Sequence, residues 1–195
     1  MKIQVLGNSR EEPSDEVCIL KFCELNDEAA FNCLVNRYSK SIRRIIYTVI
    51  QGPEEDIEDV EQEILLALYK SLPRFSFKSS FTTYLFRMCR NKAIDFIRKR
   101  KQHFMVNELS LKQHDTANNN TPELQYINTA VQSDVLNAVL QLEEKDRSLI
   151  LMKDVENLSI DEIAGIFKKP AGTIKSRLHR ARKKAAEKIL EEELL

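Results

Sequence analysis

The chain has 195 residues, 43% of them apolar, and its 30 basic side chains balance its 30 acidic ones. This composition is rich enough in apolar residues to form packed cores, which excludes a wholly disordered chain, and the zero net charge argues against a protein that simply coats DNA. No apolar run approaches the roughly 18 residues needed to span a membrane, and residues 1–15 lack the apolar core of a signal peptide. We therefore expect a cytosolic protein with reduced cysteines.

The first part of the chain shows helical periodicity after a polar, flexible start at residues 1–14. With only 4 glycines and 5 prolines, the sequence favours helices over hairpins. The predicted helices cover Glu16 to Phe22, an Asn26 cap to Ile50, Asp56 to Leu72, and a Ser80 cap through Phe81 to about Lys101. The inward stripe of the third helix is predicted to be Val60, Ile64, Leu68 and Leu72. We place the first domain at residues 15–101.

A polar segment with little apolar content then separates this domain from a second one. Residues 102–128 predict a flexible linker, because the run from His114 to Pro122 has the composition of a turn-rich connection. Helical periodicity resumes over about 129–142, 144–155, 159–167 and 171–192. The sequence therefore predicts an all-α protein of two small helical domains, the second at residues 129–195.

The last two predicted helices have the pattern of a helix-turn-helix. Ser159 and Glu162 form a capping box, and Pro170 suits the first position of the next helix. That helix should bury Ile174, Leu178, Ala181 and Ala185. Its predicted outward residues are Lys175, Ser176, Arg177, His179, Arg180, Arg182 and Lys183. A basic second helix fits the major groove of duplex DNA, although a helical hairpin with a solvated basic face would share the pattern.

Charge is segregated into two blocks. Glu54 to Glu63 contains seven acids and no base, and Lys168 to Lys184 contains eight bases and no acid. Two surfaces for two different partners would explain this segregation. The acidic block alone could equally be a solvated helix start that the helix dipole favours.

Aromatic and basic residues alternate along the fourth predicted helix. Its members are Phe81, Tyr84, Leu85, Phe86, Arg87, Arg90, Lys92, Phe96, Arg98, Lys99, Arg100 and Lys101. Rings that stack on unpaired bases and cations that follow the backbone are typical of single-strand binding. We expect Leu85 and Phe96 to lie in the core, and each other aromatic to be either a core residue or a stacking residue.

These motifs together resemble the sigma-70 family of RNA polymerase sigma factors. Residues resembling region 2 are Ala30-Phe31, Leu34, Arg37 and Tyr38; Asp59-Val60-Glu61-Gln62-Glu63; and Phe81-Thr82-Thr83-Tyr84-Leu85, Arg87, Asn91, Asp95, Arg98 and Lys99. Residues resembling region 4 are Ser159, Glu162-Ile163-Ala164 and Pro170 through Arg182. The short linker and short N-terminus resemble the extracytoplasmic-function (ECF) subgroup.

The resemblance implies an alternative sigma factor that joins RNA polymerase core, recognises and melts promoters, and starts transcription. Core polymerase would bind Asp59, Gln62 and Glu63. The melted minus-10 element would bind Phe81, Tyr84, Arg87, Asn91, Arg98 and Lys99. The duplex minus-35 element would bind Thr173, Lys175, Ser176, Arg177, His179 and Arg180. An anti-sigma factor, often membrane-anchored in this subgroup, is a further partner that the resemblance implies.

Two positions depart from the family pattern. Tyr84 stands where the family often has Trp, and a Tyr ring can still wedge or stack. The loop from Arg74 to Ser80 lacks a glycine often found there, which leaves the minus-10 preference open.

Enzymatic chemistry is not predicted. The cysteines lack paired zinc-ligand spacing, so we expect buried free thiols, no metal and no cofactor. The three histidines are scattered, and no phosphate-binding glycine loop or small-molecule substrate site is indicated. Two other functions fit parts of the pattern: a stand-alone helix-turn-helix regulator, and a decoy that holds polymerase or a sigma inhibitor without opening promoters.

Overall fold

The computed structural model of the protein describes residues 12–107 and 133–192, and all regular elements within those ranges are helical. The first domain contains α1 (Asp15–Leu25), α2 (Glu28–Ile50), α3 (Glu54–Ser71), a 3-10 turn (Leu72–Arg74) and α4 (Phe81–Asn107). The second contains α5 (Ser133–Leu140), α6 (Glu144–Ile150), a π-helical turn (Leu151–Val155), α7 (Ile160–Phe167) and α8 (Ala171–Glu192). The predicted all-α fold with two helical domains is confirmed.

The start of α2 differs from the prediction by one residue. Asp27, and not Asn26, is the cap, since its Oδ1 accepts hydrogen bonds from the amides of Ala29 at 3.0 Å and Ala30 at 3.3 Å. Asn26 instead ends α1 with a left-handed backbone at φ 52°. Asn tolerates that conformation better than most residues. Asn26 therefore ends α1, and the adjacent Asp27 caps the start of α2.

The fourth helix is longer than predicted. Ser80 caps it as expected, because its Oγ accepts from the amide of Thr83 at 3.2 Å. The helix then continues past Lys101 to Asn107, into the beginning of the predicted linker. The rest of that linker, and residues 1–11 of the predicted flexible start, lie outside the described residues. None of the described helices is long and apolar enough to cross a membrane.

The core of the first domain forms around α2, which packs against α1, α3 and α4. All four residues of the predicted α3 stripe are buried: Val60, Ile64, Leu68 and Leu72. Each such buried aliphatic side chain contributes about 1.5–3 kcal/mol relative to exposure. This packing holds α3 against α2 by its apolar side and leaves its opposite side exposed.

The two domains pack against each other through α6 on α2 and α7 on α4. Arg147 of α6 is buried and donates through Nε to the carbonyl of Thr48 at 2.9 Å and through Nη1 to that of Leu142 at 2.5 Å. Burial lowers the pKa of Arg147, partly offset by Glu144. Arg147 Nη1 also donates to the carbonyl of Leu140 at 3.1 Å. Because three carbonyls are paired by one buried side chain, this guanidinium anchors the interdomain contact.

Candidate nucleic-acid and polymerase interface

The acidic block lies on α3, and part of it is used inside the domain. Arg43 forms ion pairs with Glu54 and with Glu61, the second at 2.6 Å, and Arg100 pairs with Asp56. These acids therefore help to hold α3 against α2 and α4. Only the remaining acids are available to a partner.

The three predicted polymerase-binding residues share one exposed side of α3. Asp59, Gln62 and Glu63 are all exposed, at helical spacings of three and four residues. Glu63 pairs with Lys92 of α4 at 3.4 Å, and both side chains are partly exposed to solvent. Such a pair is worth little, so Glu63 can exchange it for another cation.

Leu66 extends this side by one turn and was missed at the sequence level. It is 60% exposed and follows Gln62 by four residues, which places it on the same side of α3. We call Asp59, Gln62, Glu63 and Leu66 the α3 face. The signal was present in the sequence, because Leu66 is two residues from both Ile64 and Leu68, and on a helix that spacing places it opposite the buried stripe.

Part of the predicted strand-binding set lines a cleft on α4. The cleft has a volume of ≈ 270 Å³. Its lining residues, the α4 cleft, are Tyr84, Arg87, Met88, Asn91, Lys92 and Asp95.

The ring of Tyr84 forms one wall of the α4 cleft. It packs against Phe75 with centroids 4.9 Å apart, and its hydroxyl donates to Ser71 Oγ at 2.6 Å. These contacts fix the ring at the edge of the loop that follows α3. Arg87 and Asn91 lie one and two turns further along the same side of α4. An aromatic wall beside cationic and amide groups is chemically suited to an unpaired base and its phosphates.

Phe81, which is also predicted to contact the minus-10 element, does not lie on this surface. The ring is 5% exposed and packs against Tyr38 and Phe75, with centroids 5.5 Å and 6.1 Å away. Phe86 is also in the core, whereas Phe96, expected there, is only half-buried. Helical spacing could not show which of these aromatic residues are buried, because α4 is covered by α2 and α3 on one side and by α7 on another.

Arg90 does not lie on this surface either. It is buried, pairs with Glu144 at 3.1 Å and lies over the ring of Phe167 at 4.3 Å. It therefore joins α4 to the second domain instead of following a nucleic-acid backbone. Arg98 and Lys99 are exposed near the far end of α4, and Arg98 pairs with Asp95 at 3.0 Å.

The helix-turn-helix is formed by α7 and α8, and its predicted capping box is confirmed. Glu162 donates its amide to Ser159 Oγ at 3.2 Å and accepts from the Ser159 amide at 2.9 Å. Burial would raise the pKa of Glu162, but the hydrogen bonds from Ser159 outweigh it and hold that pKa below its usual value. Pro170 lies just before α8 and not at its first position; its carbonyl accepts from the Thr173 amide at 2.9 Å.

The outer side of α8 is exposed as predicted, with one exception. Ile174, Leu178, Ala181 and Ala185 are buried. Five of the predicted minus-35 residues are exposed, and we call them the α8 face: Thr173, Lys175, Ser176, His179 and Arg180. Arg177 is only half-exposed, because its Nε donates to Asp146 Oδ1 at 2.6 Å.

The cysteines are free thiols, but they are not all buried as expected. Cys18 and Cys89 are buried, Cys33 is partly exposed and Cys23 is exposed. Within residues 12–107 and 133–192, no cluster of three His, Cys, Asp or Glu side chains could hold a metal ion.

Two family models match the chain in the order that the domains follow. Sigma-70 region 2 matches residues 34–103, and Sigma-70 region 4 matches residues 132–184. The ECF RNA polymerase sigma factor SigW of Bacillus subtilis is 29% identical over 170 residues, which cover 84% of this chain and 90% of SigW. The ECF RNA polymerase sigma-E factor of Haemophilus influenzae is 27% identical over 186 residues, which cover 92% of this chain and 97% of that protein.

Two solved structures have a similar fold. CnrH in complex with the cytosolic domain of CnrY aligns with a TM-score of 0.62 at 20% identity, covering 89% of this chain and 95% of CnrH. The sigma factor RpoE of Bartonella quintana, in complex with the anti-sigma factor NepR, aligns with a TM-score of 0.65 at 21% identity, covering 83% and 96%. At these identities the likeness concerns the fold.

Proposed function

We propose a division of labour among three surfaces of this chain, which belongs to the ECF subgroup of the sigma-70 family. As an alternative sigma factor, it binds RNA polymerase core and directs promoter recognition and transcription initiation. The surfaces concerned are the α3 face, the α4 cleft and the α8 face. Their assignment to individual residues is our proposal.

The α3 face binds the core polymerase. Asp59 and Glu63 offer carboxylates to basic groups of the polymerase, and Gln62 supplies hydrogen bonds. Leu66 adds an apolar contact at the edge of these polar groups. Charged groups around an exposed aliphatic side chain form the combination of rim and anchor that protein interfaces use.

The α4 cleft holds the melted minus-10 strand. Tyr84 wedges or stacks at the upstream end, while Arg87 and Asn91 contact bases and phosphates beside it. Arg98 and Lys99, further along α4, follow the backbone. Phe81 positions the start of α4 from inside the core instead of touching DNA.

The α8 face reads the minus-35 element in the major groove. Lys175, Ser176 and Arg180 lie in the first half of α8, where a recognition helix meets base edges. Thr173 and His179 contribute further contacts at the margins of the α8 face. Arg177 stays close to Asp146. We therefore propose that it holds α8 in position and contacts a phosphate, and that it does not contact a base.

The two DNA-binding surfaces act together once polymerase fixes their spacing. Two modest sites joined by a tether acquire high joint affinity when both can engage at once. A free chain with zero net charge gains little from phosphate attraction, so DNA binding without polymerase should be poor. The polymerase supplies the chemistry, and we assign no catalytic residue to this chain.

An anti-sigma factor is a further proposed partner, and the cytoplasm is the proposed place of action, where the polymerase works. Both fold neighbours were solved with bound partners, one of them an anti-sigma factor. That observation supports a similar partner here without naming it.

One observation carries this proposal: an acidic face on α3 and a basic face on α8 are both exposed while their apolar sides are buried. The test is run-off transcription with bacterial core polymerase on a pool of genomic promoter fragments. We expect start sites that depend on the protein. The double variant Asp59→Lys, Glu63→Lys should lose them while keeping wild-type helical content, and Glu24→Lys, an exposed acid on α1, should keep them.

Two results would favour the other functions. Tight operator binding by the protein alone, with no new start sites, would indicate a stand-alone helix-turn-helix regulator. Polymerase binding that persists without any new start site on any fragment would indicate a decoy. Normal transcription by the double variant would contradict the assignment of the α3 face.

A further inference from the structure

Arg177 lies on α8 at a position from which an arginine could read a base. It stands between Thr173 and Arg180 of the α8 face, at spacings of four and three residues, so it borders that face. All three residues are in the first half of α8, and the N-terminal residues of a recognition helix are those that meet base edges. Because arginine is the commonest reader of guanine, position alone would assign Arg177 to base readout.

Two acids at the start of α6 hold the guanidinium of Arg177. Nε donates to Asp146 Oδ1 at 2.6 Å, and Nη2 donates to Glu143 Oε2 at the longer distance of 3.4 Å. Arginine reads guanine with two parallel N–H groups that come from two of its nitrogens. These two contacts leave only Nη1, so the guanidinium in this position cannot form that pair of bonds.

Asp146 is a buried anion whose two oxygens are both engaged. Its side chain is 4% exposed, Oδ1 accepts from Arg177, and Oδ2 accepts from Lys184 Nζ at 3.0 Å. Burial alone would raise the pKa of Asp146, but the hydrogen bonds from Lys184 and Arg177 lower it. The carboxylate is therefore charged at neutral pH. Pulling Arg177 away would leave a buried anion with one cation fewer, which is far more costly than breaking an exposed ion pair.

We propose that Asp146 is a specificity-determining residue, which holds Arg177 toward α6 and thereby keeps it from reading a base of the minus-35 element. The minus-35 preference then depends on the residues of the α8 face, and Arg177 contributes a contact with a phosphate. Asp146 acts through Arg177 without touching DNA, so it is a positioning residue. The proposal rests on the proposed role of the α8 face in reading the minus-35 element.

The surroundings of Arg177 favour a phosphate over a base. A cleft of ≈ 230 Å³ between α6 and α8 is lined by Asp146, Arg177, Arg180 and Lys184. These lining residues are three cations and one anion, so the cleft carries positive charge. That charge attracts a phosphate without distinguishing one base from another. Nη1 of Arg177 can supply one such contact while Nε stays on Asp146.

A second arginine of α8 is also held by an acid, but in a different setting. Arg182 donates through Nε to Asp154 Oδ2 at 3.2 Å, and the two side chains are 51% and 37% exposed. Arg182 lies in the second half of α8, beyond the N-terminal turns that enter the groove. Asp154→Asn therefore removes the same charge as Asp146→Asn and frees an arginine of the same helix where no base is expected. This variant is the matched control.

Removing the charge of Asp146 should release Arg177 to the bases. Asp146→Asn keeps the size of the side chain but loses the charge that holds the guanidinium, so Arg177 becomes able to form two bonds with a guanine. We expect a new preference for guanine, of about tenfold, at one position of the minus-35 element. Arg177→Ala in the otherwise unchanged protein should weaken binding to all sequences to a similar extent and leave the base preferences unchanged.

The test measures binding of polymerase, assembled with the full-length protein, to a promoter library in which the minus-35 element is randomised. Bound and unbound DNA are sequenced for wild type, Asp146→Asn, Arg177→Ala and the double variant that carries both changes. The preference for guanine should appear with Asp146→Asn and disappear in the double variant. Asp154→Asn should select the wild-type sequences. Arg180→Ala should alter the selection, because Arg180 belongs to the α8 face.

Loss of stability is separated from loss of positioning in two ways. The selection with Asp146→Asn is run at a temperature at which circular dichroism shows the variant to be folded. A purely structural defect would weaken binding to every sequence and would not create a preference that requires Arg177. Arg177→Ala gives a second test on an intact Asp146, which still pairs with Lys184.

Three results would overturn the proposal. The first is a folded Asp146→Asn variant with wild-type base preferences, the second is a new preference that persists without Arg177, and the third is loss of discrimination at one base position in Arg177→Ala alone. A wild-type holoenzyme that selected no minus-35 sequence would contradict the role of the α8 face as well. A wild-type preference that Arg180→Ala alters and Asp146→Asn leaves unchanged would contradict the role of Asp146 alone.

Discussion

Arg177 of α8 is bound by Asp146 of α6, with Nε 2.6 Å from Oδ1. The carboxylate is nearly inaccessible and also accepts from Lys184 Nζ at 3.0 Å. Two cations of the recognition helix therefore converge on one buried acid. The arrangement sets the angle of α8 against α6, and it explains why Arg177 is less exposed than the residues of the α8 face.

Replacing Asp146 by Asn should destabilise the second domain. The variant loses two charge-assisted hydrogen bonds at a buried position, so we expect about 1.5–3 kcal/mol less stability in urea unfolding. Burial would raise the pKa of Asp146, but Lys184 and Arg177 outweigh it and lower that pKa. The stabilisation by Asp146 should therefore be complete at a pH above 3.8, the ordinary pKa of an aspartate, and should be lost as the pH falls below that value.

The measurement for Asp146 is the difference in stability between wild type and Asp146→Asn from pH 7 downward. We expect a constant gap to about pH 5, which narrows as Asp146 becomes protonated. Asp161→Asn, at an exposed acid in the first turn of α7, should show a gap of at most about 1 kcal/mol at any pH. A gap that widened toward low pH would contradict the assignment of the buried ion pairs.

Local signals in the sequence predicted much of this structure. Three such features are the Ser159–Glu162 capping box, the Ser80 cap and the α3 stripe. Each depends only on residues a few positions apart, so the sequence alone is enough to predict it. The exposed position of Asp59 follows from the same periodicity.

What could not be predicted depends on neighbours distant in the sequence. Phe81 is buried because Tyr38 and Phe75 cover it, and Arg90 is buried because Glu144 and Phe167 of the second domain approach it. A helical pattern assigns a side chain to one side of its own helix. It does not say which sides other helices cover, and α4 is covered on more than one.

Leu66 should contribute to polymerase binding without contributing to stability. Its side chain is 60% exposed on the α3 face, so Leu66→Ala should leave the melting temperature unchanged. Loss of a buried contact in the complex should weaken affinity for core polymerase by about tenfold, which is about 1.4 kcal/mol. The measurement is titration of labelled protein with core polymerase.

Leu25 provides the matched control for Leu66. It is 69% exposed at the end of α1 and is not a member of the α3 face, so Leu25→Ala should bind core polymerase with wild-type affinity. Equal weakening by both substitutions would mean that general surface hydrophobicity, and not the α3 face, determines binding.

Tyr84 should matter for opening promoter DNA more than for binding it. Tyr84→Ala removes the aromatic wall of the α4 cleft, and we expect initiation on duplex promoters to fall about tenfold, within the roughly 1–3 kcal/mol that base stacking contributes. A template already unpaired across the minus-10 element should restore most of the activity. Tyr84→Phe keeps the ring, loses only the hydrogen bond to Ser71, and should remain active on both templates.

The contrast between the two templates decides the role of Tyr84. If Tyr84→Ala were equally defective on duplex and on premelted DNA, the ring would act after melting. If it were active on both, the α4 cleft would not be the strand-binding surface. Permanganate reactivity of unpaired thymines gives an independent measure of opening.

Glu156 should control how firmly the two domains stay together in the free protein. It accepts from Arg44 Nε and from Ser41 Oγ of α2, each at 2.7 Å, and therefore joins the π-helical turn to the first domain. Glu156→Ala leaves Arg44 without this carboxylate at a largely buried position, a loss of roughly 3 kcal/mol. Because the affected contact lies between the domains, we expect the domains to separate without unfolding.

Small-angle X-ray scattering and fluorescence transfer between labels on the two domains can measure this separation. Asp154→Ala is the control, since Asp154 lies on the same turn but pairs with Arg182 inside the second domain. We expect a larger radius of gyration and lower transfer for Glu156→Ala, and wild-type values for Asp154→Ala. Unchanged dimensions in Glu156→Ala would mean that other contacts, such as those of Arg147 and Arg90 across the same boundary, hold the domains together without it.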